Sequence, residues 1–126
     1  MKRLLLLLAL LIAGSANADW VAIGETDNTT FYIDPTTIRK DGNLRKVWEI
    51  QDLKTRHKDG GMSRRVMLEF DCKAERYRAL ANSTHTGPMA SGQTIHVGDY
   101  ERYPDSWSEI PPKTAAEFIL KMVCAK

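Results

Sequence analysis

The chain is poor in the residues that chemistry most often uses. It has 2 cysteines and 3 histidines among 126 residues. His57, His85 and His96 stand at long, irregular spacings with no helical or hairpin ligand pair, which argues against a metal site. Cys72 and Cys124 form no C-x-x-C pair and fall in apolar patterns that would raise a thiol pKa, which argues against redox or nucleophilic work. Ser91 lies in Met89-Ala90-Ser91-Gly92, which is not a nucleophile elbow, and no Ser, His and Asp set is marked as belonging together. The expectation is a protein that is not an enzyme and carries no cofactor.

A membrane-spanning run is also missing. The apolar stretch Leu4 to Ile12 is about half of the roughly 20 residues that a spanning helix needs. It follows the basic start Met1-Lys2-Arg3 and precedes Ala16-Asn17-Ala18, the small residues of a signal-peptidase site. Residues 1–18 therefore read as a cleaved signal, leaving residues 19–126 as one domain that begins Asp19-Trp20. Lys2 and Arg3 leave with the signal, so the basic count falls from 18 to 16 against 16 acidic residues. A near-neutral mature chain gives no electrostatic reason to expect a nucleic-acid or membrane partner.

What the sequence does contain is a series of strands. Val66, Leu68, Phe70 and Cys72 share one face of the clearest of them, with Met67, Glu69 and Asp71 on the other as ordinary outward acids and spacer. Earlier, Trp20 to Gly24 and Thr30 to Ile33 read as short strands, the second stopped by Asp34-Pro35 because proline has no amide hydrogen for a ladder. Thr36 to Lys40 reads as a turn or an edge strand. Leu44 to Leu53 is long enough for a central strand, with Leu44, Trp48 and Ile50 as its apolar face and Lys46 as a break in it. Gly60-Gly61 relieves the tip of the connection to Val66, so the two arms should pair antiparallel. Arg76 to Ala81 reads as a third neighbour, Asn82 to Gly92 as a loop by composition, and Gln93 to Gly98 as a weak further strand.

The chain then changes character. Thr114 and Glu117 have the T-x-x-E spacing of a capping box, and Ala115, Phe118, Ile119, Met122 and Val123 form an apolar stripe at helical spacing. Two cysteines in an exported chain are most simply one disulfide, which would fasten the end of this helix to the strand that ends at Cys72. The fold class expected is α+β: a small antiparallel sheet with a C-terminal helix packed on one face and one disulfide.

Two surfaces stand out for binding. Lys54, Arg56, His57, Lys58, Arg64 and Arg65 concentrate charge on one hairpin connection, suited to an acidic protein, a sulfated glycan or a headgroup surface. Such runs are commonly just solvated. Tyr100, Tyr103 and Trp107 offer an aromatic alternative that would equally cover a sheet edge.

The ordered features, taken together, resemble the surface-adhesin protein E family of Gram-negative bacteria. They are the signal, Trp20, Phe31-Tyr32-Ile33-Asp34-Pro35 with Thr37-Ile38, Val47-Trp48, Glu69-Phe70-Asp71-Cys72, the arginines of the next strand, Trp107 before the prolines, and Val123-Cys124. The resemblance implies the sheet, helix and disulfide already read from the residues, and an adhesive role toward host matrix or serum proteins. A lipid-anchored adhesin needs a cysteine directly after its signal, which this sequence does not have. The expectation is thus an exported, periplasmic or secreted protein-binding module whose partner is a host matrix or envelope protein. A periplasmic accessory protein, or a carrier holding a small ligand between sheet and helix, is the alternative.

Overall fold

The computed structural model describes residues 19–99 and 106–125; residues 1–18, expected to be a signal, and the tyrosines Tyr100 and Tyr103 lie outside that range. Antiparallel strands β1 (Val21–Glu25), β2 (Thr29–Asp41), β3 (Leu44–Leu53), β4 (Ser63–Asp71), β5 (Arg76–His85) and β6 (Thr94–Asp99) lie side by side in chain order. A short β7 (Ser108–Glu109) pairs with the start of β5, and one helix, α1 (Ala115–Cys124), follows. The sheet is open, with β1 and β6 at its two ends.

Period-two alternation on β4 sets the core. Val66, Leu68 and Phe70 are buried and meet Ile33 of β2, Val47 of β3, and Ile119 and Val123 of α1. Phe70 and Tyr77 stack across β4 and β5 with ring centroids 5.7 Å apart. At the C-terminal end of α1 the disulfide Cys72–Cys124 joins the helix to the end of β4, as the sequence implied. Thr114 caps the other end, its Oγ1 accepting from the Glu117 amide at 3.3 Å. The capping box is half formed, since the Glu117 carboxylate accepts from Lys121 Nζ at 3.3 Å one turn on.

Four local expectations change. First, β2 does not stop at Asp34-Pro35 but runs on to Asp41. Residues 35–38 bulge out opposite Val47 alone, so Pro35 sits where no ladder bond is required. Thr37 bridges the gap: its hydroxyl donates to the Asp34 carbonyl at 2.6 Å and accepts from the Trp48 amide at 3.1 Å.

Second, Leu44, Trp48 and Ile50 share a face as expected, but the helix covers the other one. It is Arg45, Val47 and Glu49, all buried, with Lys46 exposed on the other side. Arg45 tolerates burial because its guanidinium is spent on carbonyls: Val123 at 3.2 Å, Gly42 at 2.7 Å and Leu44 at 3.0 Å. The first of these is an orphan carbonyl at the end of α1. Ile50 is buried on the opposite face, where a 3₁₀ turn (Pro88–Ala90) packs on β3 and β4.

Third, Asn82 to His85 is strand, not loop. Its polar side chains concealed a ladder that pairs with Ser63–Val66 on one side and β6 on the other. Fourth, Glu69 is not an outward acid. It is buried, and Arg78 donates to it from Nε at 2.9 Å and from Nη2 at 2.7 Å. Trp107 lies against Arg78 and Arg76, 4.2 and 4.6 Å from ring centre to guanidinium carbon, and so covers that pair.

Candidate functional site

The six basic residues expected to act together are spread over different tasks. Lys54 pairs with Glu25 of the edge strand at 3.0 Å. Arg56 is exposed but tied down, donating to the Gly60 carbonyl at 2.8 Å and the Thr86 carbonyl at 2.9 Å. His57 Nδ1 stands 3.3 Å from Asp59, whose carboxyl also accepts from the Gly61 amide at 2.8 Å. That backbone bond, ahead of the nearby His57 and Arg64, holds the Asp59 pKa below its ordinary value. Lys58 is exposed at the tip. Arg64 and Arg65 are neighbours on β4 and so point to opposite faces, and Arg65 lies 3.9 Å over the Trp48 ring. The hairpin end is therefore a braced platform, with Lys58 its most available cation and Lys54 exposed but paired with Glu25. Gly60 adopts φ +91, and a Cβ on Gly61 would come within 2.6 Å of the Thr84 methyl, so the two glycines permit this tight tip.

Trp107 of the aromatic segment is half-buried over the arginines of β5, which makes it a cover for the sheet rather than a free surface. His85 is buried, with Nε2 2.7 Å from Ser83 Oγ and Nδ1 3.3 Å from Thr94 Oγ1. Desolvation, with the Arg65 charge second, lowers its pKa, so the ring is held neutral. No cluster of metal-ligating side chains occurs among the described residues.

Between the sheet and the first turns of α1, where the carrier alternative would hold its ligand, lies a groove of about 800 Å³ whose lining sequence reasoning missed. Ile23, Phe31, Leu68, Ala79 and Phe118 supply apolar walls. Phe118, on the apolar stripe of the helix, lines this groove and is 51% exposed. Glu49 is the exception in the lining, a carboxyl that is only 4% exposed. It accepts one hydrogen bond, from Gln51 Nε2 at 2.9 Å. Burial pushes its pKa up to about 6, against a smaller lowering from Gln51. The available signal was an acid midway along a strand between Val47 and Ile50, and its meaning depended on which face the helix would cover.

This fold is similar to that of solved structures of a bacterial protein, protein E. Crystal form II of Haemophilus influenzae protein E superposes with a TM-score of 0.65 at 13% identity, covering 88% of this chain and 91% of that one. The selenomethionine form of the same protein gives 0.66 at 12% identity, covering 89% and 90%. Protein E from non-typeable Haemophilus influenzae gives 0.56 at 14% identity, covering 89% and 79%. Identities this low speak to fold alone. No curated protein sequence matches significantly. The family model for surface-adhesin protein E, however, matches residues 20–125, and the chain therefore belongs to the surface-adhesin protein E family.

Proposed function

We propose that this protein is an exported protein-binding module that engages host matrix or serum proteins through the hairpin end of its sheet. The family match along residues 20–125 is the observation that carries the reading. The site is suggested by the braced tip, where Lys54 and Lys58 are exposed and Arg64 stands on the adjoining strand. A rigid basic platform loses little conformational freedom on docking and gains from an acidic partner's field. Export fits the family, and no helix among the described residues is long and apolar enough to cross a membrane. Release into the periplasm or the medium belongs to the same proposal.

The test is capture of the mature protein by immobilised matrix and serum proteins across a salt series, beside Lys54→Glu/Lys58→Glu/Arg64→Glu. Arg56 and Arg65 are left alone because they brace the hairpin and cover Trp48. Capture should weaken with salt, and the triple variant should lose at least about tenfold at low ionic strength. Equal capture by both proteins removes the hairpin from the reading. Absence of capture, together with resistance to protease added to intact cells, favours a periplasmic accessory role.

A further inference from the structure

We propose that the groove between the sheet and the start of α1 is a binding site for a small amphipathic amine, with the ammonium group on Glu49 and the apolar body along Phe31, Leu68 and Phe118. The groove's volume of about 800 Å³ falls within the range of small-molecule sites. Apolar surface predominates in its lining, and polar and charged side chains from β1, β3 and the start of α1 complete it. Glu49 is the group that selects. It is 4% exposed, and the only hydrogen bond it receives among the described residues comes from Gln51. No lysine or arginine ion pair among those residues includes it. A buried carboxylate without a cation is costly, and an apolar side chain would serve the core better. An ammonium entering the groove would supply the missing charge through charge-assisted hydrogen bonds.

Three of the four remaining charged groups in the lining are held in ion pairs. Glu25 of β1 is matched by Lys54 at 3.0 Å, and Glu117 of α1 by Lys121 at 3.3 Å. The fourth, Lys113 on the loop before the helix, is in no ion pair among the described residues, and Tyr77 of β5 adds a phenol to the lining. The positive end of the helix dipole is offset by the Thr114 cap and by Glu117 in the first turn. Glu49 is thus the carboxylate left for a ligand to neutralise. Its pKa near 6 leaves it ionised at pH 7.5 and mostly protonated at pH 5.

Octylamine, octanol and octanoate, which share a chain length and differ in the head group, provide the probes. Calorimetric titration at pH 7.5 should show octylamine binding at least about tenfold more tightly than octanol, with octanoate weakest, since tenfold is the effect of one modest charge-assisted contact. Glu49→Gln keeps the shape and removes the charge, so it should bring octylamine to the level of octanol. At pH 5 the wild type should lose the same preference. Amide and side-chain resonances of Phe31, Leu68 and Phe118 should shift on titration. Equal binding of the three probes overturns the proposal, as does a preference for octylamine that persists in Glu49→Gln, or shifts confined to residues outside the groove. The proposal does not depend on the adhesive reading, and matrix-protein capture by Glu49→Gln should match the wild type.

Discussion

The two ends of α1 meet the sheet in opposite ways. At the C-terminal end, Ile119 and Val123 are buried, Cys124 is bonded to Cys72, and Arg45 takes up a carbonyl of the last turn. At the N-terminal end the helix stands off, Phe118 is half in solvent, and the space beneath holds a carboxyl instead of a methyl group. One end is built for stability and the other gives some of it up. A single ten-residue helix therefore serves both as a clamp and as the roof of a cavity.

Breaking the clamp should have the largest effect. Cys72→Ser opens a loop of 52 residues and should cost about 4 kcal/mol by the chain-entropy argument. A domain of this size would then melt lower by well over ten degrees. An unchanged melting temperature between the oxidised wild type and the variant would deny the disulfide its role.

The roof end should respond in the opposite direction. Glu49 has a folded pKa of about 6 against 4.5 for the free group, so between those values the folded state binds more protons than the unfolded one. Its contribution is most favourable below pH 4.5 and is lost as pH rises through 6. Glu49→Gln should thus be more stable than the wild type by about 2 kcal/mol at pH 7.5, following the conversion of 1.36 kcal/mol per unit, and the gap should close toward pH 4.5. His85 acts with the other sign: its lowered pKa favours the folded state above 6.5 and loses that benefit as pH falls. The difference between wild type and variant, measured by denaturant unfolding at several pH values, isolates Glu49 from His85. A gap that does not depend on pH would sink this account.

The smallest effect belongs to the cap. Thr114→Ala removes the acceptor for the Glu117 amide and should cost about 1 kcal/mol. Hydrogen exchange should speed up in the first turn of α1 while Ile119 to Cys124 keep their protection. Uniform loss along the helix would mean that the two ends are not independent.

Much of this contrast was legible in advance on the clamp side. The alternation of Val66, Leu68 and Phe70, the T-x-x-E start and the stripe through Ile119 and Val123 are local patterns, and each placed its element correctly. On the cavity side a ligand space between sheet and helix was foreseen, but not the residues that line it. Glu49 and Arg45 lie on the buried face of β3 only because the helix covers that face, and Arg45 is satisfied by Val123, 78 residues away. Composition marked Leu44, Trp48 and Ile50 as the apolar face and left the other unassigned, because charged residues ordinarily mark solvent. Pro35 misled for a similar reason, since the hydroxyl of Thr37 stands in for a backbone partner that only a folded neighbour can use. Nor could spacing foresee that Arg56 would donate to the Gly60 and Thr86 carbonyls and Arg65 lie over the Trp48 ring.

The position of the disulfide also sets a timetable. A chain made from its N-terminus presents Cys72 with β1 to β4 already complete, but the matching thiol arrives only after β5, β6, β7 and the whole of α1. Oxidation cannot guide strand pairing under these conditions. It can only lock a sheet that has found its register by burial and ladder bonds, and until then Cys72 waits as a free thiol at the end of the central strand, open to mispairing with any other thiol it meets.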